Sequence, residues 1–344
     1  MRILFLSHHW TNNSHHSDHS GFQRIVAFAA EQHEVTLVTW GKEASDYREG
    51  RIRVITVTGP RKDFLFLKRI AISRKGRQIA REFDAVHSLY SDCTFSLGPD
   101  SFTVTFHVLP AVIRYRSVKQ RIFLFLKYNL LQKRAMRRAK HIAVVSRSLL
   151  SGIPEKYKQK ACFIPHGVDT RFWDPALASA QTSFPGRDYI LCVGSHGLDR
   201  KLLSEFITAN PSRQFIFVGL KKKLEPFPNV HYLYGVTDEE LRNLYASAIL
   251  MIRPILFATA NNSILEALAM GKTVLVNRIA GITDYLSDET CLFIDSLKDR
   301  SLLNIGDLLP APAKLRQAAI NHFSWNTVLD AYSALYQEQK VQHG

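Results

Sequence analysis

With 344 residues, 46% of them hydrophobic, the chain is long enough to bury two cores of ordinary domain size. No apolar run approaches the roughly 20 residues a spanning helix needs. The formal net charge of +15 belongs wholly to residues 1–170, which hold 28 Lys+Arg against 13 Asp+Glu, while residues 171–344 are balanced at 17 and 17. Asymmetry of that size predicts an anionic partner for the N-terminal half: phospholipid headgroups, a phosphorylated acceptor or nucleic acid.

The opening "MRILFLSHHW" reads as a first strand and not as a signal peptide, having one basic residue and too short an apolar stretch. Further strands are expected at Val35–Thr39, Arg53–Val57, Ala85–Ser88, Phe102–His107 and Ile142–Val145. A second series follows at Tyr189–Val193, Gln214–Val218, Val230–Leu233, Ile249–Ile252, Thr273–Val276 and Leu292–Ile294. Near-continuous apolar strands separated by helix-like segments are the pattern of parallel sheets covered on both faces. The expected fold is therefore α/β, with two doubly wound domains of six strands apiece. The Pro-, Ser- and Ala-containing stretch 168–188 lacks a clean period and supplies the boundary. Domains are drawn at 1–168 and 187–323 with a linker at 169–186. Cys93, Cys162, Cys192 and Cys291 form no C-x-x-C pair, which fits a reduced cytoplasmic setting.

In open α/β sheets ligands bind beyond the carboxyl ends of the strands, which directs attention to the post-strand loops. The loop "SHHWTNNSHHSDHSG" holds His8, His9, His15, His16 and His19, but with Asp18 as its only acid it reads as a polar, glycine-ended loop and not as a metal site. Two segments, 61–81 and 114–141, mix Lys/Arg with Phe, Leu, Ile and Tyr at helical spacing. Between Ser101 and Pro154 there are eleven basic residues and no acid, and basic amphipathic helices of this kind lie on anionic membrane surfaces. Arg114, Arg116 and Lys119 are the candidate acceptor or membrane contacts there. Alternatively each segment has simply a core face and a solvated face. His107 ends a strand, where it can exchange a proton or bond a substrate hydroxyl, or merely bond nearby backbone.

In the second half, "YILCVGSHGLDRKLL" runs from a strand through Gly194 to Arg200 and Lys201 at a helix start, adjacent cations suited to a diphosphate. Neither G-x-x-x-x-G-K-[ST] nor a G-x-G-x-x-G after the first strand occurs, which disfavours P-loop NTPases and ordinary dinucleotide dehydrogenases. "ATANNSILEALAMG" places Glu266 in an otherwise apolar helix. Ser263-x-x-Glu266 fits a capping box, Gly271 a C-terminal cap, and Lys272 the negative end of the dipole. The reading open to function is an anion site at the helix start, with a carboxylate able to accept from sugar hydroxyls.

The order and wording of "HEVTLVTW", "FDAVHSLY", "VTFH", "HIAVVSRSLL", "IPHGVDTRFWDP", "YILCVGS", "SILEALAMGKTVLVNRIAGITDYL" and "FSWNTVLDAYSALY" resemble the retaining glycosyltransferases of family 4 (glycosyl transferases group 1) over essentially the whole chain. The resemblance implies a GT-B fold, two Rossmann-like domains facing a cleft, with a C-terminal helix at 324–343 crossing back to the N-terminal domain. It implies a nucleotide-sugar donor held mainly by the second domain, UDP-sugar first and GDP-sugar next, and a lipid-linked or glycan acceptor held by the first, with no cofactor or metal required. By the same resemblance Glu266 meets the ribose hydroxyls, and Asn261, Asn262 and Ser263 the donor sugar and phosphates. Arg200 and Lys201 meet the diphosphate, Gly235 follows the base-holding Tyr234, and Ser20-Gly21 stand at the first glycine-rich loop. His107 lies beside the transferred sugar. Three positions depart from the family pattern: Ala258 replaces the first Glu of Glu-x7-Glu, His166 an Asn, and Ser195 an Arg. The rival readings are a sugar-nucleotide epimerase or hydrolase of the same fold, and a non-catalytic basic binding protein, for which no nucleic-acid motif is present.

Overall fold

A computed structural model describes residues 1–8, 10, 21–59, 66–109, 118–179, 186, 188–220, 224, 226–294, 302 and 305–340. The chain divides into two compact units. One takes the described residues of Met1–His16, Phe22–His166 and Trp325–Gly344, and the other those of Ser17–Gly21 and Gly167–Ser324.

The first unit contains β1 (Arg2–Leu6), α1 (Arg24–Gln32), β2 (Glu34–Trp40), β3 (Ser45–Glu49), β4 (Ile52–Val57), α2 (Leu67–Ile79), β5 (Ala85–Ser88) and β6 (Thr103–Phe106). It continues with α3 (Val118–Lys127), a π-helical turn at Tyr128–Gln132, α4 (Lys133–Arg138), β7 (His141–Val144), α5 (Arg147–Leu150), α6 (Glu155–Lys158) and β8 (Ala161–Phe163). The sheet order is β3-β4-β2-β1-β5-β6-β7-β8, parallel except for β3, which runs antiparallel to β4. Winding proceeds from β1 toward β2 and β4 on one side and from β5 toward β8 on the other, so the order reverses between β1 and β5.

Eight strands, not six, make this sheet among the described residues. The two additions are its edges. Ser45–Glu49 is a polar, mostly exposed SDYRE and Ala161–Phe163 has three half-buried residues, so neither has the apolar run that marks a central parallel strand.

The last helix, α11 (Trp325–Lys340), belongs to this first unit, packing on α1 and β5. Buried polar groups hold it: Tyr336 Oη lies 2.7 Å from His87 Nδ1, Tyr332 Oη 2.9 Å from Thr105 Oγ1, and the Val86 amide donates to Gln339 Oε1 at 2.9 Å. Each such bond would cost more broken than it contributes made, because the orphaned group stays dry.

The second unit contains β9 (Tyr189–Val193), α7 (Arg200–Ala209), β10 (Phe215–Val218), β11 (Val230–Leu233), α8 (Asp238–Ser247), β12 (Ala248–Ile252), α9 (Asn262–Ala269), β13 (Val274–Val276), β14 (Leu292–Phe293) and α10 (Pro312–Phe323). Its order is β11-β10-β9-β12-β13-β14, all parallel, with the reversal between β9 and β12. Alternate residues of one strand feed opposite faces: Ile190 and Cys192 join one core cluster, Tyr189, Leu191 and Val193 the other. That two-sided burial is why β9 reads as an unbroken apolar run. Trp173, from the stretch read as linker, is fully buried in this core, and Arg316 of α10 ties it down by donating to the Trp173 and Ala269 carbonyls and to Asp174 Oδ2.

Candidate active site

Each sheet has one reversal point, the place where two adjacent strands send their chains in opposite directions and leave a crevice for a ligand. In the second unit the loops after β9 and β12 flank it and are zipped together. The Leu256 amide donates to the Gly197 carbonyl at 2.8 Å and the Asp199 amide to the Pro254 carbonyl at 2.9 Å. Asn277 brackets Ile255, accepting from its amide and donating to its carbonyl, both at 2.7 Å. Gly197 (φ 68°) is required here, since a Cβ would meet the Phe257 carbonyl at 2.8 Å. Gly281 presses closer still: its Cβ would lie 2.1 Å from the carbonyl oxygen of Ala258.

The helix α9 starts at this point. Its N-cap is Asn261, whose Oδ1 accepts from the Ile264 amide at 3.3 Å, and Ser263 donates its hydroxyl to the same oxygen at 2.7 Å. The capping box predicted for Ser263 and Glu266 is therefore corrected: Asn261 takes the cap, and Glu266 lies beyond the first turn. Glu266 is 4% exposed, and the Tyr245 hydroxyl sits 3.1 Å from its Oε2 and 3.1 Å from the Ser263 carbonyl. Burial first, then the Glu266 charge, push the Tyr245 hydroxyl well above its ordinary range, so it stays a neutral donor. Gly271 (φ 66°) closes α9 as expected. Lys272 does not serve α9: its ammonium donates to the carbonyls of Ala246 at 2.8 Å and Ala248 at 3.0 Å, the end of α8.

On the neighbouring loop, Asp199 caps α7 by accepting from the Leu202 amide at 3.1 Å. Arg200 and Lys201 occupy the first turn, half-buried and exposed respectively. Gly194 (φ 76°) ends β9 with its amide on the Val218 carbonyl at 2.9 Å, and Gly235 (φ 68°) has open space where a Cβ would stand. Arg253, at the carboxyl end of β12, is 1% exposed and donates Nη2 to the His196 carbonyl at 2.7 Å. Tyr245 carries no sequence signal, and Arg253 stands in the sequence only as the first residue of the post-strand segment 253–262. A lone cation closing the apolar run "ILMIRP" was the available signal for the second.

At the reversal point of the first unit, four elements converge on Asp92, which is fully buried. Arg69 Nε and Lys127 Nζ each lie 2.9 Å from its Oδ2, and His8 Nδ1 lies 3.3 Å from its Oδ1. Burial works against the charge, but Lys127, the hydrogen bond from His8 and Arg69 outweigh it and hold the Asp92 carboxyl well below the usual range. Cys93 Sγ lies 3.7 Å from His8 Nδ1, which brings His8, Asp92 and Cys93 to metal-ligand spacing. Two side-chain cations on one carboxylate oxygen oppose a further positive charge there. His107 is next in line, its Nε2 3.0 Å from the Leu89 carbonyl and its ring against Phe22 (4.6 Å) and Tyr90 (4.9 Å). Donation to that carbonyl leaves a neutral ring with Nδ1 as acceptor, and burial, reinforced by His166, lowers its pKa in the same sense. Gly21 adopts φ 94°. Ser20, Arg114, Arg116 and the side chain of Lys119 lie outside the described residues, as do His9, His15, His16, Asp18 and His19.

The family model described as "Glycosyltransferase Family 4" matches residues 24–172, and that described as "Glycosyl transferases group 1" matches residues 187–304. An MMP alpha-(1->4)-mannosyltransferase of Mycolicibacterium hassiacum is 26% identical over 236 residues, 60% of this chain and 56% of that protein. Sucrose-phosphate synthase from Thermosynechococcus elongatus superposes with a TM-score of 0.74 at 17% identity, covering 98% of both chains. HepE of Anabaena, solved with UDP and glucose, gives 0.63 at 14% identity over 97% of this chain and 98% of that one. A glycosyltransferase from Rickettsia africae gives 0.65 at 17% identity over 98% of each. The structural likenesses establish a GT-B fold built from two doubly wound α/β units. Since the two family models between them span both units, this chain belongs to the family 4, group 1 glycosyltransferases.

Proposed function

We propose that this enzyme transfers a sugar from a nucleoside diphosphate donor, UDP-sugar before GDP-sugar, to an anionic lipid-linked or glycan acceptor, with retention of anomeric configuration. The observation that carries the reading is Glu266: a buried carboxylate held by Tyr245 beside the capped N-terminus of α9, at the reversal point of the second sheet. Carboxylates accept paired hydroxyls, and helix N-termini accept anions, so ribose and phosphate are matched by adjacent groups. Glu266 takes the ribose hydroxyls, and the start of α9 at Asn261, Asn262 and Ser263 faces the donor's sugar and phosphates. Arg200 and Lys201 neutralise the diphosphate as it departs, an electrostatic contribution that grows as the charge develops. Gly194, Gly235 and Gly21 let main chain come close to the donor, and neutral His107, in the first unit, offers an acceptor to a sugar hydroxyl.

The acceptor belongs to the first unit. Two cations and one carboxylate at the first reversal point leave an excess positive charge there, suited to a phosphate on the acceptor. Ile122, Phe123, Phe125, Leu126 and Leu130 are 40–64% exposed along α3 and the π turn, with Leu67 of α2 at 44%. Set in a segment with eleven basic residues and no acid, this apolar face fits the cytoplasmic surface of an anionic membrane. Supporting the nucleotide reading is the HepE structure, solved in complex with UDP and glucose. A thermal-shift panel of UDP-, GDP-, ADP- and TDP-sugars tests the donor: UDP-sugars should raise Tm most, and a panel with no shift at all would overturn the reading.

A further inference from the structure

Arg253 carries a charge that the protein leaves unanswered. Among the described residues its Nε and Nη1 have no hydrogen-bond partner, and no carboxylate is among the groups that act on its charge. Its charged-state neighbours are Cys192 and Tyr245, and burial pushes both of those upward, so both are neutral at physiological pH. A guanidinium does not shed its proton, and burying one without a counter-ion is strongly unfavourable. A protein that retains such a group gains by meeting it with an anion from outside. The place fits: the residue ends β12 at the reversal point, beneath the loop after β9, and a Cβ on Gly194 would lie 3.9 Å from its Nη2. The side chain is too enclosed to touch a ligand, so its effect passes through the thin glycine-containing loop, both as a field and by fixing the His196 carbonyl.

We propose that the counter-charge of Arg253 is the diphosphate of the bound donor, making Arg253 a positioning and electrostatic residue of the donor site. The inference rests on the reading that a nucleoside diphosphate binds the second unit.

The test compares R253K, R253Q and R253M with the native chain by calorimetric titration of uridine, UMP and UDP. Lysine keeps the charge, glutamine keeps a donor for the His196 carbonyl without charge, and methionine keeps neither. Through-loop charge makes the loss grow with ligand charge: UDP affinity falls at least about tenfold in both R253Q and R253M, UMP less, and uridine not at all. R253K stays within about threefold of the native value for all three ligands. Melting of the unliganded R253M should not fall below that of R253Q, because the removed charge was not paired. Equal losses for uridine and UDP, or native UDP affinity in R253M and R253Q, would overturn the inference. If the native chain itself binds neither UDP nor uridine, the donor reading fails first.

Discussion

Removing a single oxygen at Tyr245 probes how the carboxylate of the donor site is held. In Tyr245→Phe the ring survives with its edge-on contact to Trp173 at 5.8 Å, so packing is conserved. What disappears is a hydroxyl 3.1 Å from both Glu266 Oε2 and the Ser263 carbonyl, all of it buried. A hydrogen bond to a charged group contributes roughly 1.5–3 kcal/mol net, and the orphaned acceptor stays dry, so a loss of about 2 kcal/mol is expected. For a unit of this size that corresponds to a Tm lower by roughly 4–8 °C. Freed from the hydroxyl, Glu266 samples other rotamers, and UDP affinity should fall about tenfold, or roughly 1.4 kcal/mol. Thermal unfolding with and without UDP measures both. An unchanged Tm would refute the bond, and a lowered Tm with native UDP affinity would refute the link from Tyr245 through Glu266 to the donor.

Glu266→Ala should weaken UDP binding far beyond its effect on unliganded melting; native affinity in a folded variant would return Glu266 to a purely structural place. His87 is fully buried, and burial lowers its pKa to about 3, so the folded state keeps it neutral where the unfolded chain, near 6.5, would protonate it. Stability from this group is whole above pH 6.5 and is lost as pH falls toward 3, at about 1.4 kcal/mol per pH unit. Denaturant titration from pH 7.5 to 5 should show that slope, shallower in His87→Asn. Asp92→Asn leaves Arg69 and Lys127 without their carboxylate and should cost about 3 kcal/mol, near the lower end for a broken buried pair because each keeps about a fifth of its side chain in water. A loss under about 1 kcal/mol by urea unfolding would show that Asp92 is not the anchor described. Phe123→Ser with Phe125→Ser should abolish co-sedimentation with phosphatidylglycerol vesicles while leaving UDP binding unchanged; retained sedimentation removes the membrane face from the account.

Periodicity located the central strands well because burial on both faces forces unbroken apolar runs: Ala85–Ser88 and Tyr189–Val193 fall where the residues placed them. It failed at the edges of the first sheet, where Ser45–Glu49 needs no apolar face at all. The α9 segment was legible as a capped, acid-bearing helix, yet which of Asn261 and Ser263 caps it depends on backbone geometry that both residue types tolerate. Lys272 looked placed for the negative end of its own helix's dipole and serves another helix, a choice made by tertiary packing. The Asp92 group was illegible for a different reason: His8, Arg69, Asp92 and Lys127 are separated by up to 119 residues, and only the fold brings them to one carboxylate. Arg253 was visible as a letter but not as a buried charge, since its exposure is set by the loop laid over it.

Transfer of sugar from a nucleotide is decided with radiolabelled UDP-hexose, membrane extract and the protein. Label is expected in a lipid-extractable or polymeric product, dependent on enzyme and lost in Glu266→Ala. Label recovered only as altered or released free sugar, with none in an acceptor, would contradict it.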